Sequence, residues 1–515
     1  MLYSLKKCLF VFNILIQLFL LYGGFMKFLD SFFHVKERGG SIKNEIIGGL
    51  ITFVAMCYIL PINSSILSDA GMSSAGVFIM TAILSFVVTL IMGLVANYPI
   101  SLSAGMGLNA FLAYTLCGTL GFSWQEAMIL LTIAGILFFV LSLTPVRKII
   151  IESIPKDIKI IIAASLGAFI CFVGLKNSGV ITSNSSTFVE LNTFVNPAVL
   201  ISFVSIVLCF GLMFCKNKIV KSLAVPISIA FSAIVGIIVS EVLIGNNLLS
   251  SKAGQWIYSI SAIDGRVSTL PIFPTHTGVK FMDFSGVKEV FFFGALNESS
   301  SFDFGKSFVN VISNPASYVA IFSLIFVNLF DTTATLLAVG RDVGIINSEG
   351  KMENYQRAVL ADATGALICG PLGTSTVTSF AESGIGVSLG AKTGLAAVVS
   401  SLMFLLSIFI YPIFSIFTYG SVTAPALVCV GAMIFVNNIK DLDWKNPIVG
   451  FTAFITIIFA LLTYSIANGI GIGLITYTVM MLFARKHKEV GVPIYVIACL
   501  FLLSFALQAV LLVIK

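Results

Sequence analysis

The stretch GTSTVTSFAESGIGV, residues 373–387, decides how this chain folds, because it sets one acidic residue, Glu382, among glycines and hydroxyl residues within an apolar region. A second acid, Asp331, lies inside the apolar run YVAIFSLIFVNLFDTTATLLAV, residues 318–339. A carboxylate at the depth of a lipid bilayer costs several kcal/mol or more unless it faces a cavity, a partner or a substrate. Both acids are therefore candidate functional residues, and a structural carboxyl hydrogen-bonded between helices is the alternative.

Cations are sparse around these two acids. No lysine or arginine lies between Arg357 and Glu382. Arg341 follows Asp331 at a distance of about 15 Å along a helix. We therefore expect no buried cation beside either acid.

The composition indicates a polytopic membrane protein. Of the 515 residues, 58% are hydrophobic and only 10% are charged, which is too little polar surface for a soluble domain of this size. The net charge of +6 comes from short basic clusters between apolar runs, which indicate topology and not a nucleic-acid partner. The nine cysteines form no CxxC pair and no metal-ligand spacing with histidine, so we expect neither disulfides nor a metal site.

The chain contains about 14 apolar runs long enough to approach or cross a bilayer. The predicted spans are 45–62, 76–97, 100–118, 124–144, 158–175, 197–215, 222–244, 316–339, 357–371, 374–390, 393–418, 421–438, 446–466 and 468–484. Basic loops follow the even-numbered spans from the fourth onward, including the loop of Arg147, and the positive-inside rule places those loops in the cytoplasm. Several charged residues near span ends are expected to reach the membrane interface, namely Glu45, Glu126, Lys176, Glu241 and Asp362.

Spans three and ten carry the strongest functional signal. Both are short and interrupted by small residues, as ISLSAGMGLNAFLAYT (100–115) and GTSTVTSFAESGIGV (373–387), and each is the third span of a seven-span half. Interrupted segments at corresponding positions of two halves point to a transporter substrate site, and an odd number of spans per half makes the repeats inverted. Broken helices expose backbone groups that must line a cavity or bind something. Close packing of small residues is the alternative interpretation of Gly105 and Gly107.

The remaining segments divide the chain further. Residues 1–25 are interpreted as an N-terminal extension before Met26, and an additional span there is the alternative. Residues 26–244 form the first repeat and 316–490 the second, with 245–315 as a long polar, extracellular segment that can hold a small folded excursion. Residues 491–515 form a C-terminal apolar segment, either one more span or an interfacial helix.

No enzyme motif is present. The sequence GVSLGAKTG, residues 386–394, lacks the uninterrupted Gly-Lys-Ser/Thr order of a phosphate-binding loop because Ala391 breaks it, and it joins two predicted spans. We find no nucleophile arrangement and no cofactor motif, so the sequence predicts that the protein is not an enzyme and has no cofactor. The hydroxyl residues around Glu382 and the amide of Asn109 suit a small, planar, polar ligand with donors and acceptors.

Several stretches resemble the azaguanine-resistance-like branch of the nucleobase:cation symporter 2 family, which comprises hypoxanthine, guanine and adenine permeases. They are NEIIGGLITFVAMCYILPINSSILSDAGM (44–72), ANYPISLSAGMGLNAFLAYT (96–115), SIPKDIKIIIAASLGAFICFVGLKNSGVI (153–181), LFDTTATLLAVG (329–340), GTSTVTSFAESGIGVSLGAKTGLAAVV (373–399) and LTYSIANGIGIGLITY (462–477). The resemblance covers residues 26–515. It implies two inverted seven-span repeats, a core domain from spans 1–4 and 8–11, a gate domain from spans 5–7 and 12–14, and elevator-like alternating access.

The resemblance also implies roles for individual residues. Substrate would bind between the broken third and tenth spans and the eighth span, and Asp331 would couple protons to transport. The substrate-binding candidates are Glu382, Asn109, Gly105, Gly107, Ser379, Ser383 and Thr378. The chain departs from the family pattern at Ser64, Ser103, Ala104, Asn328 and Ala334, and these departures bear on substrate preference more than on transport class.

The expected protein is thus a plasma-membrane secondary transporter that imports adenine, guanine or hypoxanthine together with protons. Sodium is the alternative coupling ion, and a homodimer is left open. A uracil or xanthine carrier and an anion transporter of the same architecture are the alternative functions. An uncompensated carboxylate at Glu382 repels anions and therefore argues against the last of these.

Overall fold

The computed structural model describes residues 23–144, 147, 155–184, 186–217, 220–221, 223–245, 284–294, 302–344, 352–380, 382–414, 417 and 419–514. Most of residues 1–25 and much of the segment 245–315 therefore lie outside the described residues. The described chain is mostly helical, as the sequence predicts, and two short antiparallel sheets accompany the helices.

The first half of the chain alternates long helices with one strongly interrupted region. Its elements are α1 (Gly23–Phe33), α2 (Ile42–Met56), α3 (Ile59–Ser68), α4 (Ser74–Ile91), β1 (Leu102–Ala104), α5 (Met106–Ala110), α6 (Trp124–Leu143), α7 (Lys156–Asn177), β2 (Ile181–Asn184), β3 (Phe188–Leu191), α8 (Pro197–Met213) and α9 (Ala224–Gly245). Turns of π-helix at Met92–Ala96 and Phe111–Thr119 extend α4 and α5.

The second half begins with two short helices and, like the first, contains one three-residue strand followed by a short helix. Its elements are α10 (Ser285–Val290), α11 (Phe304–Ser313), α12 (Pro315–Val343), α13 (Tyr355–Leu372), β4 (Val377–Ser379), α14 (Ser383–Ser388), α15 (Gly394–Ser407), α16 (Tyr411–Phe414), α17 (Gly420–Ile439), α18 (Pro447–Leu462), α19 (Ile466–Phe483) and α20 (Val492–Ile514).

Side-chain caps fix where several of these helices begin. The Ser123 hydroxyl and the Glu126 carboxylate form a capping box at the start of α6. Asn196 and Asn446 cap α8 and α18, and in both cases the next residue is a proline in the first helical turn. Proline suits that turn because its missing N–H has no intrahelical partner to lose.

Five described helical stretches are long and apolar enough to cross a membrane by length and composition, and they are Ile42–Ser68, Ser74–Ala96, Trp124–Leu143, Lys156–Asn177 and Pro315–Thr333. Shorter apolar helices occur at Pro197–Met213, Ala224–Ser240, Gly394–Ile410, Pro425–Ile439, Pro447–Leu462, Asn468–Phe483 and Val492–Leu503. The helices and the two interrupted segments follow the positions of the predicted spans, and the count of about 14 stays a prediction.

The helices pack as two groups. In the larger group, α13 packs on α6, α15 packs on α2 and α4, and α14 packs on α2. In the smaller group, α7 packs on α17 and α18, α8 packs on α9 and α17, and α18 packs on α19. Contacts between the groups are fewer and involve mainly α5 and α12 against α7, and α3 against α17.

Two further segments attach to this framework. The described parts of the long segment form α10 and α11, and α10 packs so closely on α4 that a Cβ at Gly76 would lie 2.1 Å from the carbonyl oxygen of Gly286. At the C-terminus, α20 is a continuous helix that contacts both α12 and α19. Its Phe501 ring lies edge-on to Phe322 of α12, with 5.2 Å between the centroids.

Candidate functional site

The two segments that the sequence marks as interrupted pair with each other as a small sheet. We call this pair of strands, β1 and β4, the strand crossing. Strands β1 and β4 are antiparallel, with Ser103 opposite Thr378. The pairing is extended by two backbone bonds, from Gly105 N to the Thr376 carbonyl (2.9 Å) and from Phe380 N to the Ser101 carbonyl (3.1 Å). A short helix follows each strand, so extended backbone lies within the larger group where a continuous helix would otherwise run.

Hydroxyl groups of α4 support the outer edge of β1. The Thr89 hydroxyl accepts a hydrogen bond from Leu102 N (2.8 Å) and donates one to the Leu102 carbonyl (3.0 Å). The Ser85 and Ser103 hydroxyls are 2.7 Å apart. These bonds satisfy backbone and side-chain groups that lipid could not.

Gly105 is required for the close approach of the two segments. A Cβ at this position would lie 3.0 Å from Cγ2 and 3.2 Å from Oγ1 of Thr378. Gly107 lies elsewhere, against the smaller group, where a Cβ would meet Leu166 Cδ1 of α7 at 2.3 Å and Ile466 Cδ1 of α19 at 3.4 Å. Gly107 therefore packs between the two groups, whereas Gly105 lies at the strand crossing.

Glu382 occupies the N-terminal boundary of α14 and is half-buried. Its Oε1 accepts a hydrogen bond from the hydroxyl of Tyr58, at 2.5 Å. Tyr58 lies in the short turn between α2 and α3, where the backbone keeps helical dihedral angles, so the first span passes the strand crossing as a nearly continuous helix. Sequence reasoning missed Tyr58, and no local pattern marks it, because its partner Glu382 is remote along the chain.

Several buried polar atoms at the crossing have no hydrogen-bond partner among the described residues. Asn109 is fully buried, and both its Oδ1 and its Nδ2 are unpartnered. The hydroxyls of Ser375 and Ser379 are also buried and also lack a hydrogen-bond partner among the described residues. Leaving a buried donor or acceptor unsatisfied costs about 1–3 kcal/mol, so such atoms are expected where a ligand completes the bonding.

Ser383 and Thr378, which the sequence also predicts as site residues, have structural partners. The Ser383 hydroxyl accepts a hydrogen bond from Ser101 N at 3.0 Å and so joins α14 to the chain entering β1. The Thr378 side chain lies beside the carboxyl group of Asp331, on α12, which packs on β4. Asp331 also interacts electrostatically with Glu382, so the structure brings the two predicted acids into one site.

A third acid extends this site and corrects the expectation that Asp362 is solvated at a span end. Asp362 is fully buried, and its Oδ2 accepts a hydrogen bond from the Thr332 hydroxyl at 2.8 Å. It interacts electrostatically with Asp331 and with Arg147. Its Oδ1 has no partner among the described residues. The sequence did not reveal it because a single acid in an alanine- and glycine-rich helix resembles an interfacial residue.

Arg147, which the sequence places in the basic loop after α6, is also buried. Arg147 is 3% exposed, its Nη1 donates to the Ser142 hydroxyl at 3.0 Å, and its guanidinium lies 4.8 Å from the centroid of the Phe138 ring. A buried cation therefore does accompany the acids, although its electrostatic partner is Asp362 and not Glu382.

Glu45 was also expected to reach the interface and is instead fully buried. Its Oε1 accepts hydrogen bonds from Lys392 N (2.8 Å) and Thr393 N (3.1 Å). Nearby, Arg38 Nη1 donates to the Asn97 carbonyl at 2.8 Å, and Asn97 Nδ2 donates to the Phe33 carbonyl at 2.9 Å. We call these five residues, Arg38, Glu45, Asn97, Lys392 and Thr393, the loop clamp.

The fold and the site define a class of protein. Polar backbone, three acids, and amide and hydroxyl groups that lack partners in the described part of the chain lie together inside an apolar helical protein, which is the arrangement of a transporter that binds its cargo within the membrane. The Xan_ur_permease family model, described as a permease family, matches residues 43–472. The chain therefore belongs to the nucleobase:cation symporter 2 family and is an integral multi-pass membrane protein, a permease and not an enzyme.

Individual relatives agree with this family. The chain is 35% identical to the guanine/hypoxanthine permease PbuG of Bacillus subtilis over 489 residues, which cover 93% of this chain and 99% of PbuG. It is 30% identical to the adenine permease AdeP of Escherichia coli over 476 residues, which cover 92% of this chain and 95% of AdeP.

Solved structures show the shared fold. The transmembrane domain of the cyanobacterial bicarbonate transporter BicA matches with a TM-score of 0.52 at 12% identity, over 83% of this chain and 97% of that domain. The anion transporter family member SLC26A9 matches with a TM-score of 0.52 at 11% identity, over 86% of this chain and 66% of its own.

Proposed function

We propose that this protein imports purine nucleobases across the plasma membrane by proton symport. The observation that carries the proposal is Asn109, a fully buried amide whose donor and acceptor have no partner among the described residues, on a segment paired with the one that holds Glu382. A purine is planar and carries ring N–H donors beside ring and exocyclic acceptors. It can donate to the Glu382 carboxylate and exchange hydrogen bonds with an amide and with free hydroxyls.

The relatives support the substrate class. PbuG is named for guanine and hypoxanthine, and AdeP is named for adenine. All three purines share the ring edge that a carboxylate recognises, and they differ in exocyclic groups. In the proposed site, Glu382 and Asn109 bind the shared ring, while the Ser379 hydroxyl and the backbone near Gly105 contact the variable groups.

Asp331 is the proposed proton-coupling residue. It contacts the binding segment through Thr378 and interacts electrostatically with Glu382, so its protonation state affects the charge of the site. Removing a carboxyl group from water favours its neutral form, which makes proton uptake part of the transport cycle. Substrate can draw on the proton gradient only through a group whose protonation differs between the states of the carrier.

The two packing groups suit elevator-like alternating access. We assign the larger group as the core domain, which carries the substrate site, and the smaller group as the gate domain. In this scheme residues 26–244 and 316–490 are two inverted seven-span repeats. Sparse contacts between the groups, compared with dense packing inside each, would allow the core to move as a unit.

Radiolabelled uptake into proteoliposomes tests the substrate and the coupling together. We expect saturable uptake of adenine, guanine or hypoxanthine that rises when the outside is acidified and is unaffected by a sodium gradient. Competition by uracil or xanthine alone, or uptake of sulfate without purine, would replace the proposal with a uracil or xanthine carrier or with an anion transporter. Vesicles without protein, and vesicles with the Glu382→Gln variant, are the controls.

A further inference from the structure

A cation is held between two tyrosine rings where the two packing groups meet. The Lys176 Nζ, at the end of α7, lies 4.8 Å from the centroid of the Tyr464 ring and 5.2 Å from that of Tyr114. The two rings are themselves in edge-to-face contact, with centroids 5.3 Å apart. A lysine ammonium within about 6 Å of a ring centroid is attracted to the face of that ring.

Hydrogen bonds reinforce the same contact. The Tyr114 hydroxyl donates to Asp69 Oδ2 at 2.8 Å and accepts from Asn177 Nδ2 at 3.0 Å. The Thr115 hydroxyl donates to the Tyr464 carbonyl at 3.3 Å. Asp69, Tyr114 and Thr115 belong to the segments of the larger group, whereas Asn177 and Tyr464 belong to those of the smaller group. The cluster therefore joins the two groups with directional polar contacts.

The smaller group holds its side of this contact in a fixed conformation. Tyr464 has a φ of 52°, in the left-handed region that residues with a Cβ rarely adopt. Its ring contacts Phe169 and Phe172 of α7 edge-on, with centroids 5.5 Å and 5.8 Å apart. A strained backbone conformation persists only where the surrounding contacts hold it in place. We therefore infer that α7 and Tyr464 form a contact surface of fixed shape, against which Tyr114 packs.

The topology gives this cluster a side of the membrane. Asp69 follows α3, Lys176 lies in the last turn of α7, and Tyr464 lies between α18 and α19. These are the ends away from the basic loops, which the positive-inside rule places in the cytoplasm, so the cluster faces outward. A contact between the groups at the outer end closes that side of the site.

We propose that Lys176, clasped between Tyr114 and Tyr464, is the outer latch of the transporter, a positioning residue that holds the site closed to the outside and releases when the larger group moves. The inference rests on the proposed alternating access. It assigns Lys176 no contact with substrate. Because a cation–π pair contributes a modest free energy, the latch is expected to change the population of the outward-open state by up to about tenfold.

Cross-linking distinguishes movement between the groups from movement within one group. In a background without the native cysteines, Tyr114→Cys with Tyr464→Cys links the two groups, while Phe172→Cys with Tyr464→Cys links positions within the smaller group. Oxidation should abolish purine uptake in the first protein, reduction should restore it, and the second protein should keep transporting when oxidised. Undiminished uptake by the oxidised first protein, with the cross-link verified on a gel, would overturn the latch. Absence of purine uptake by the reduced proteins and by the wild type would instead count against the proposed function.

Substitution of Lys176 gives a second readout that structural damage does not imitate. Lys176→Met keeps the length of the side chain and removes the charge, so the outward-open state should gain population and the apparent KM for external purine should fall by up to about tenfold. Lys176→Arg keeps a cation over the rings and should retain the wild-type KM. A KM that is unchanged or raised in Lys176→Met would overturn the latch, since damage lowers the transport rate or raises KM.

Discussion

Two glutamates in the larger group have opposite surroundings. Glu45, in the loop clamp, is fully buried, and its carboxylate accepts hydrogen bonds from backbone N–H groups of Lys392 and Thr393. Glu382, at the strand crossing, is half-buried and accepts one hydrogen bond, from Tyr58, among the described residues. The clamp therefore satisfies its acid with protein groups, whereas the crossing leaves acceptor capacity for another molecule.

The asparagines of the same group repeat this contrast. Asn63 and Asn109 are both fully buried. Asn63 Nδ2 donates to the hydroxyls of Thr81 (2.7 Å) and Thr374 (3.0 Å), and only its Oδ1 lacks a partner, whereas both amide atoms of Asn109 are unpartnered within the described part of the chain. Burial is the same for the two residues, and they differ in whether the amide is tied to neighbouring helices by its N–H donors.

The largest expected effect separates the two glutamates. Glu382→Gln replaces a charged acceptor by a neutral amide, and a hydrogen bond to a charged group contributes about 1.5–3 kcal/mol, so uptake at low purine concentration should fall by about 100-fold. Surface expression should stay near the wild-type level. Glu45→Gln should lower the melting temperature and yield of purified protein and leave KM unchanged, since its amide NH₂ would face backbone donors. Equal effects of the two substitutions on KM would contradict the assignment of Glu382 to ligand binding and of Glu45 to structure.

Asp331→Asn should separate binding from accumulation. The amide imitates the neutral acid permanently, so purine should still bind and equilibrate slowly while an imposed pH gradient no longer concentrates it. Wild-type proteoliposomes should accumulate more purine when the outside is acidified. Gradient-driven accumulation by Asp331→Asn would transfer the coupling role to Glu382 or to Asp362, and Asp362→Asn in the same assay would identify which.

The paired asparagines give an intermediate effect. Asn109→Ala removes the unpartnered donor and acceptor, and we expect the apparent KM for purine to rise by about tenfold, the equivalent of roughly 1.4 kcal/mol. Asn63→Ala leaves the Thr81 and Thr374 hydroxyls without their shared donor, so it should reduce stability and leave KM unchanged. Uptake kinetics and thermal unfolding of both variants provide the comparison, and an unaltered KM in Asn109→Ala would return Asn109 to a packing role.

A smaller effect is expected from the geometry of the crossing itself. In Gly105→Ala the new methyl group would press on Thr378 Cγ2, only 3.0 Å away, so uptake should fall by a few-fold, the equivalent of about 1 kcal/mol of overpacking. Adding Thr378→Ser removes that methyl and keeps the hydroxyl, which should restore part of the rate. Thr378→Ser alone serves as the control, and lack of recovery in the double variant would show that contact with Thr378 is not the cause.

The smallest effect concerns the loop clamp and the residues before it. A chain that begins at Met26 keeps Phe33 and Arg38, whose contacts with Asn97 connect α1 to the larger group. It also keeps the basic flank that orients the first span. Its purine uptake should equal that of the full chain, and loss of membrane insertion would identify residues 1–25 as a working element.

The sequence was informative where a single segment carries the signal. Glycine and hydroxyl residues inside apolar runs predicted the two interrupted segments, because few other local patterns combine those features at membrane depth. The span positions followed from hydropathy in the same way. The register of β1 against β4 did not follow, since Ser103 and Thr378 meet only through tertiary packing.

Paired charges were the least predictable part of the site. Asp362 is hydrogen-bonded to Thr332 of another helix and interacts with Arg147, which lies in a loop by sequence. No local pattern distinguishes such a carboxylate from one that reaches the interface, as Glu45 also demonstrates. Tyr58 escaped notice for a related reason, because its partner Glu382 is remote along the chain. Residues whose role depends on a distant partner require the fold.

The bonds between Thr89 and Leu102 have a consequence for ligand selection. Each strand of the crossing has only three residues, too few to hold a register by themselves. The Thr89 hydroxyl bonds both the N–H and the carbonyl of Leu102. It thereby takes the place that a third strand would occupy beside β1. A one-residue slip would turn every side chain of β1 to the opposite face. Because the register cannot slip, the backbone groups of β1 and β4 keep fixed positions relative to each other. A change of ligand preference therefore has to come from the side chains of these two strands.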